Sequence, residues 1–257
     1  MKKIIFIGDI NGRPGRETVK KLLPSVRSQY CPDLVIANGE NCAGGMGINK
    51  KKYDELTSLG IDVVTGGNHV WHCKNFASEI DSCPAFVRPA NYPPGAPGRG
   101  SLISKGIGVI SLLGRVFMKE LDCPFRCAEV LMGELKKETR VIVVDLHAEA
   151  TSEKTAFAHF SDGRSSAVLG THTHVQTADE RILSQGTAFI TDVGMCGSYD
   201  SVIGVDKNAI IQRFISQMPH RFEVESKGPL IFNAVYLEID EESGRALKIE
   251  RINRVID

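Results

Sequence analysis

The chain opens with Met1-Lys2-Lys3-Ile4-Ile5-Phe6-Ile7-Gly8-Asp9, in which a short apolar run ends directly at a glycine and an aspartate. An apolar run of this length, bounded by turn residues, is typical of a buried strand. It is too short for a signal peptide, and no other stretch approaches the length of a membrane span. We therefore expect a first strand over residues 4–7 that presents a polar side chain at its carboxyl end.

The same pattern recurs along the chain. Further buried strands are predicted at Leu34–Ala37, Val63–Thr65, Val141–Leu146 and Ala167–Leu169. Each of these runs is followed at once by a turn rich in glycine, asparagine, aspartate or histidine. In open α/β sheets, ligands bind beyond the carboxyl ends of the strands, which is where these polar residues fall.

The stretches between the strands carry helical periodicity. A first helix is predicted over residues 19–26, where Pro24 should kink or end it. A second is predicted over Tyr53–Leu59, and a third is expected to begin with Thr151 or Ser152 as its N-cap. Strands that alternate with helices in this way predict an α/β protein.

Two hairpins are predicted among the later apolar runs. One joins Ser101–Ser104 to Ile107–Leu113, and the other joins Val235–Ile239 to Ala246–Ile252. A mixture of βαβ units and hairpins favours two packed mixed β-sheets flanked by helices, an α/β/β/α sandwich. No segment is long enough to serve as a linker, so residues 1–257 are expected to form a single domain.

Charge and cysteine content restrict the partners and the compartment. Lysine plus arginine (31) equals aspartate plus glutamate (31), whereas an extended nucleic-acid groove usually leaves a basic excess. The seven cysteines are odd in number and contain no Cys-x-x-Cys pair, which favours reduced thiols. We therefore expect a cytoplasmic protein with a small anionic substrate and no membrane partner.

Five polar clusters lie at the ends of predicted strands. They are Gly8-Asp9, Asn38-Gly39-Glu40-Asn41, Gly67-Asn68-His69, Asp145-Leu146-His147-Ala148 and Gly170-Thr171-His172-Thr173-His174. Together they offer carboxylates, amide oxygens and imidazoles, the ligands of Mn²⁺, Fe²⁺ or Zn²⁺. Taken singly each is weak evidence, because an aspartate after a strand is more often a turn former and a lone histidine is more often a core residue. An extended backbone would point His172 and His174 to one side.

The order of these clusters resembles that of the calcineurin-like metallophosphoesterase superfamily, and longer stretches resemble its YmdB-like branch. The resemblance runs from residue 4 to about residue 206. The longer matching stretches are Gly39–Asn41, Gly67–Trp71, Arg88–Tyr92, His147–Lys154, Gly170–Asp179, Asp192–Met195 and Ser201–Gly204.

The resemblance implies two divalent metal ions, with iron or manganese expected and zinc or magnesium as alternatives. It places Asp9, Asn41 and His174 on one metal, places Asn68, His147 and His172 on the other, and makes Glu40 the bridge. Most of the superfamily has Asp-x-His after the first strand and an aspartate bridge. Here Asn11 stands in place of that histidine, and the bridge would be a glutamate.

The resemblance also implies the chemistry, in which a hydroxide shared by two metals attacks phosphorus and His69 acts as general acid. The expected substrates are small phosphodiesters, above all 2′,3′-cyclic nucleotides. Arg88, Asn91 and Tyr92, in a proline-rich loop, are the predicted substrate contacts.

Two other functions compete with this interpretation. A metal-dependent amidohydrolase also uses His-x-His, but places it on its earliest barrel strand, whereas here the pair begins at His172. A regulatory or nucleotide-sensing protein could hold the same metals with little catalysis. Regulation by a protein or RNA partner is compatible with catalysis, and a homo-oligomer is expected because symmetric assembly is common.

Overall fold

The structure, a computed structural model, describes residues 1–257 and contains fourteen strands and six α-helices. The strands are β1 (Lys2–Ile7), β2 (Asp9–Ile10), β3 (Leu34–Asn38), β4 (Val63–Thr65), β5 (Phe86–Val87), β6 (Ser101–Ser104), β7 (Ile107–Leu113), β8 (Val141–His147), β9 (Ala167–Thr171), β10 (Arg181–Ile182), β11 (Ala188–Ile190), β12 (Met195–Ser198), β13 (Leu230–Ile239) and β14 (Ala246–Ile256). The helices are α1 (Gly12–Tyr30), α2 (Lys50–Ser58), α3 (Phe76–Glu79), α4 (Pro124–Leu135), α5 (Thr151–Ser161) and α6 (Lys207–Ser216). All five predicted buried strands are present.

These strands form two sheets. The first has the order β2-β12-β13-β1-β3-β4-β5, with β14 also paired to β13, and the second has the order β10-β11-β9-β8-β7-β6. Parallel pairing joins β1, β3, β4 and β5 in one sheet and β7, β8, β9 and β11 in the other. Both predicted hairpins form, as β6–β7 and β13–β14.

Alternating side chains divide the core into three layers. Phe6 of β1 and Val143 of β8 belong to the buried cluster between the two sheets. Their neighbours face the opposite way, Ile5 toward the cluster that contains residues of α1 and α2, and Val144 toward the cluster that contains residues of α4 and α5. Full burial of one such side chain contributes about 1.5–3 kcal/mol. The predicted α/β/β/α sandwich is confirmed, and two open sheets are not the barrel that the amidohydrolase alternative requires.

Two helix ends differ from the prediction. Pro24 does not end α1, which continues to Tyr30. Pro24 lies on the exposed face, and so does Lys20, whose carbonyl loses its helical N–H partner and can bond to water instead. The N-cap of α5 is Ala150, because its extended backbone places its carbonyl to accept the N–H of Lys154 at 3.1 Å. Neither Thr151 nor Ser152 is therefore the cap.

The sheets bring their strand ends to one region. Parallel strands of the first sheet deliver the loops that follow β1, β3 and β4, and parallel strands of the second deliver the ends of β8 and β9. Both sheets therefore contribute side chains to a common edge, as expected for ligand sites in α/β folds. None of the helices has the length and apolar character needed to span a bilayer.

Candidate metal centre

The loop after β4 passes directly over the carboxylate that follows β3. A Cβ added to Gly67 would lie 2.2 Å from Glu40 Oε2 and 2.6 Å from His147 Cδ2. Only glycine permits this close approach of the backbone to the two side chains. The Gly-Asn-His segment thereby brings Asn68 Oδ1 to 2.8 Å from His147 Nε2 and lets the backbone N–H of His69 donate to Glu40 Oε2 at 2.9 Å.

Glu40, Asn68, His147 and His172 form one half of the centre. His147 Nε2 lies 2.8 Å from Asn68 Oδ1, 3.0 Å from Glu40 Oε1 and 3.0 Å from His172 Nδ1. The ligand atoms of Glu40, His147 and His172 all lie within 4.8 Å of one another. Four atoms with lone pairs therefore converge, and either a proton or a cation must lie among them.

Asp9, Asn41 and His174 form the other half. Asn41 Nδ2 lies 3.1 Å from His174 Nε2, and Asp9 Oδ1 lies 3.9 Å from the same nitrogen. The two halves touch, since Asp9 Oδ2 accepts the backbone N–H of His172 at 3.1 Å. All seven residues that the sequence nominates as metal ligands are thus brought together, with Glu40 beside His147, and its bridging role stays a prediction.

The partners of the buried oxygen atoms test whether cations fit here. Asp9 Oδ1, Asn11 Oδ1, Glu40 Oε1 and Asn41 Oδ1 are buried and accept no hydrogen bond. Glu40 Oε1 is close enough to His147 for charge attraction, but not in hydrogen-bond geometry. Buried oxygens without a partner are costly, so their clustering at one place fits a site that binds cations. The donor set of carboxylate, amide and imidazole groups can hold divalent metal ions.

The ionisation of the cluster supports this conclusion. Burial opposes ionisation of Glu40, but the adjacent His147 outweighs it and lowers the pKa of Glu40 to about 2. Burial likewise disfavours charged His147, yet Glu40 outweighs it and raises the pKa of His147 to about 9. For His172, burial and the charge of His147 lower the pKa to about 3. A proton held on His147 therefore occupies the centre of the cluster, where a cation would replace it.

Each histidine is oriented by a partner on its outer nitrogen. His147 Nδ1 lies 2.9 Å from Thr171 Oγ1, which donates its own proton to Asp145 Oδ1 at 2.7 Å. Thr171 must then accept from His147, so Nδ1 carries a proton and Nε2 can face the centre. This relay through buried Asp145 is the kind of outer contact that metal-binding histidines commonly have.

The other two histidines follow the same rule with different partners. His174 Nδ1 donates to the carbonyl of Ile203 at 2.8 Å, which leaves Nε2 for the centre. His172 Nε2 lies 3.0 Å from Glu149 Oε2, which leaves Nδ1 for the centre. Sequence reasoning did not assign orienting roles to Asp145, Thr171 or Glu149. Asp145 has a usable signal, because it lies two residues before His147 on a strand and therefore on the same face.

The loop that carries His172 and His174 is not extended, contrary to the prediction. His172 has φ 103° and His174 has φ 67°, both in the left-handed region. Between them, Thr173 donates its N–H and hydroxyl to Asp192 Oδ2 at 3.0 and 2.8 Å. Asp192 is in turn paired with fully buried Lys154 at 2.8 Å. The hydrogen bonds of Thr173 to Asp192 hold the turn. This turn, and not the side-chain alternation of an extended strand, directs the rings of His172 and His174 to the centre.

His69 lies at the edge of the centre. Its backbone N–H donates to Glu40 Oε2 at 2.9 Å, and its ring Nδ1 lies 3.1 Å from Nδ1 of His72. Burial lowers the pKa of His69, and the Glu40 carboxylate partly opposes this shift. The ring lines a cavity of about 300 Å³ that also reaches Glu40 and Asn41. His69 is therefore close to the centre and accessible to a ligand in the cavity.

The three residues nominated as substrate contacts lie outside the cavity that His69 lines. Arg88 donates to the carbonyls of Pro97 and Ala96, both at 3.0 Å, and Asn91 exchanges hydrogen bonds with Leu113. Tyr92 packs edge-on against Trp71 with 5.9 Å between ring centroids. None of the three lines the cavity beside His69. Their contacts favour a role in shaping the loop, and substrate contact by them stays a prediction.

Five apolar residues line the remaining wall of the cavity. They are Met46, Ile203, Val205, Phe222 and Val224. Sequence reasoning missed this wall, because its members come from loops and carry no periodic pattern. The cavity therefore has one side rich in acidic and imidazole groups and one side that is apolar.

Two mixed sheets packed face to face, with carboxylate, amide and imidazole groups at their common edge, define a metallophosphoesterase. Within that class, the chain belongs to the YmdB-like protein family, whose pattern matches residues 5–252.

Individual relatives agree with this assignment. The chain is 49% identical over 254 residues to the Bacillus subtilis (strain 168) protein named 2′,3′-cyclic-nucleotide 2′-phosphodiesterase, covering 97% of this chain and 96% of that protein. A crystal structure of a hypothetical protein from Thermus thermophilus matches with TM-score 0.90 and 43% identity, covering 98% of this chain and 99% of that one. A Mycoplasma pneumoniae structure described as a novel phosphatase matches with TM-score 0.92 and 38% identity, covering 99% of this chain and 95% of that one.

Proposed function

We propose that the protein hydrolyses small phosphodiesters, with 2′,3′-cyclic nucleotides as its main substrates. The observation that carries the proposal is the convergence of the seven nominated ligands, three of which have a buried oxygen that accepts no hydrogen bond. The name of the Bacillus subtilis relative supports the substrate class. Ligands come from both sheets, which supports the view that residues 1–257 act as one domain.

The residues that would hold two metal ions follow from the two halves of the centre. Asp9, Asn41 and His174 would bind one ion, and Asn68, His147 and His172 would bind the other, with Glu40 between them. When bound, such ions supply positive charge to the phosphoryl oxygens and an activated water. Three imidazoles among oxygen ligands support iron or manganese, with zinc as an alternative, over magnesium.

Proton transfer is the part of the reaction assigned to a side chain. Hydrolysis forms a bond between phosphorus and a water oxygen and breaks the bond to the ribose 2′ oxygen, giving a nucleoside 3′-phosphate. The 2′ oxygen needs a proton as it leaves, and we assign its donation to His69, which lines the cavity. Burial lowers the pKa of His69, but a bound phosphate anion favours the protonated ring.

The remaining residues hold the reacting groups in place. Asp145, through Thr171, fixes the ring orientation of His147, and Glu149 does so for His172. The Lys154–Asp192 pair fixes the turn between His172 and His174 through Thr173. Preorganisation of this kind keeps the site from rearranging during the reaction.

The proposal is tested by one assay set. Purified protein of measured metal content is loaded with Mn²⁺ and given 2′,3′-cyclic AMP, 3′,5′-cyclic AMP and bis-p-nitrophenyl phosphate, and ³¹P NMR identifies the products. We expect conversion of 2′,3′-cyclic AMP to adenosine 3′-phosphate, and loss of activity in a chelator-treated control. Metal-loaded protein that turns over none of the three would support the regulatory alternative instead.

The cellular setting is also proposed. All seven cysteines are free thiols, which supports a reducing cytoplasm as the place of action. Assembly into a homo-oligomer, and control by a protein or RNA partner, stay predictions.

A further inference from the structure

Two loop segments pair to form a short ribbon beside the metal centre. Residues 202–206 and 222–225, here called the ribbon, are joined by an antiparallel bridge between Val205 and Val224. The N–H of Asp206 donates to the carbonyl of Glu223 at 3.0 Å, and the N–H of Glu225 donates to the carbonyl of Gly204 at 3.0 Å. The ribbon thus has a defined backbone although it lies outside the main sheets.

The ribbon is fixed to the metal-ligand loops at two points. The carbonyl of Ile203 accepts from His174 Nδ1 at 2.8 Å and from Asn11 Nδ2 at 3.3 Å. Val224 packs so closely on the opposite loops that a Cβ added to Gly12 or Gly45 would lie 2.9 or 2.6 Å from its methyl groups. Both glycines have positive φ. The apolar wall is therefore held in place before any ligand arrives.

Three large apolar side chains in this wall are left half exposed. Relative exposure is 48% for Met46, 49% for Ile203 and 41% for Phe222. They face a cavity whose other side presents Glu40, His69 and His174. With cations bound by the residues named under the proposed function, a cavity of this composition fits a ligand with an anionic group at one end and a flat apolar group at the other. Nucleotides have this construction.

We propose that the apolar wall is the nucleobase subsite of the enzyme, with Phe222 as its stacking platform; this inference rests on the proposed function. Phe222 is the only phenylalanine, tyrosine or tryptophan that lines the cavity. The guanidinium of Arg213 lies 4.5 Å from the centroid of its ring. Arg213 covers one face by a cation–π contact, which leaves the other face for a base.

This arrangement also defines the specificity. Stacking on an aromatic ring tolerates every base, because each base has a flat π-face. The five apolar side chains of the wall offer no hydrogen bonds to base edges, whereas Glu223, which also lines the cavity, can accept a hydrogen bond from a base amino group. Stacking by itself therefore accepts all four bases and favours purines over pyrimidines, since purines cover more apolar area.

The decisive experiment compares a substrate that carries a nucleobase with a substrate that lacks the nucleobase. Phe222→Ala is assayed with 2′,3′-cyclic AMP and with methyl riboside 2,3-cyclic phosphate, and Phe214→Ala is the control. Phe214 is 71% exposed on α6 and does not line the cavity. We expect Phe222→Ala to raise KM for cyclic AMP about 10-fold or more, with kcat nearly unchanged and KM for the base-free substrate unaltered. Equal changes for both substrates, or no change for either, overturn the proposal.

A binding measurement separates failure of this inference from failure of the proposed function. Titration calorimetry with adenosine 3′-phosphate needs no turnover. About 10-fold weaker binding to Phe222→Ala, with intermediate binding to Phe222→Leu and unchanged binding to Phe214→Ala, supports the subsite even if no cyclic nucleotide is hydrolysed. Equal affinity of all four proteins overturns it even if the wild type is an active phosphodiesterase.

Discussion

The backbone N–H of His69 donates to Glu40 Oε2 at 2.9 Å, which ties the proposed general acid to the carboxylate that we propose as the metal bridge. This bond uses the main chain of His69, so it does not depend on the imidazole. Metal binding and proton transfer by this segment are therefore separable by mutation.

Removing the imidazole of His69 should abolish turnover without emptying the site. In His69→Ala the backbone bond to Glu40 persists, so we expect unchanged metal content and a kcat lower by ~10²–10⁴-fold. Metal analysis and steady-state kinetics with 2′,3′-cyclic AMP measure the two quantities. His159→Ala, on the exposed surface of α5, is the control and should behave as the wild type. Full turnover in metal-loaded His69→Ala would exclude the role.

Removing the charge of Glu40 should lower the metal content, unlike removal of the His69 imidazole. Glu40→Gln keeps the size of the side chain but replaces a negative ligand between the two halves with a neutral one. We expect the protein to retain fewer metal ions after dialysis, as measured by mass spectrometry, and to lose activity in parallel. Glu129→Gln, which removes a surface partner of Arg164, should leave metal content unchanged. Two firmly held ions in Glu40→Gln contradict the bridging assignment.

The buried Lys154–Asp192 pair should matter more than a surface pair of similar length. In Lys154→Met the carboxylate of Asp192 loses its buried counter-charge, so we expect a loss of about 3–5 kcal/mol in the free energy of unfolding. Metal affinity should fall too, because Asp192 anchors Thr173 between two ligands. Urea denaturation and metal titration test this. Lys207→Met, which breaks a solvent-exposed pair with Asp200, is the control with little expected effect. Equal losses in the two variants are incompatible with the argument.

Metal binding to the metal-free protein should release protons. Burial opposes the protonated ring, but Glu40 raises the pKa of His147 to about 9, so at pH 7 this histidine carries a proton that a metal must displace. Affinity should therefore rise with pH up to about 9. It should fall further below pH 6, because burial raises the pKa of Asp9 to about 6. Calorimetry in buffers of different ionisation enthalpy measures the released protons. Heats that do not depend on the buffer contradict this prediction.

The parts of the fold with a local signal were predictable from the sequence. Apolar runs such as Ile4–Ile7 and Val141–Leu146 are long enough, and clearly enough bounded by turn residues, to identify strands. Short strands such as β10 (Arg181–Ile182) and β12 (Met195–Ser198) were not predicted. They contain few apolar residues and exist because neighbouring strands offer hydrogen bonds, which is a tertiary effect.

The site also has parts with a local sequence signal and parts without one. Ligand candidates could be found because each directly follows a strand, and the sheets bring such positions together. The apolar wall could not be found, because Met46, Ile203 and Phe222 meet only through the folding of three separate loops. The left-handed turn at His172 and His174 also lacked a signal, since it depends on the distant carboxylate of Asp192.

Ile203 links the candidate metal centre to the proposed nucleobase subsite. Its carbonyl orients His174, and its side chain lines the cavity. A nucleotide that moves this peptide group would also reorient the ring of His174, a proposed metal ligand. By thermodynamic linkage, the cations must then change the affinity for the nucleotide by the same factor. We therefore expect metal binding and nucleotide binding to be coupled, so nucleotide affinities should be compared only at a stated metal concentration.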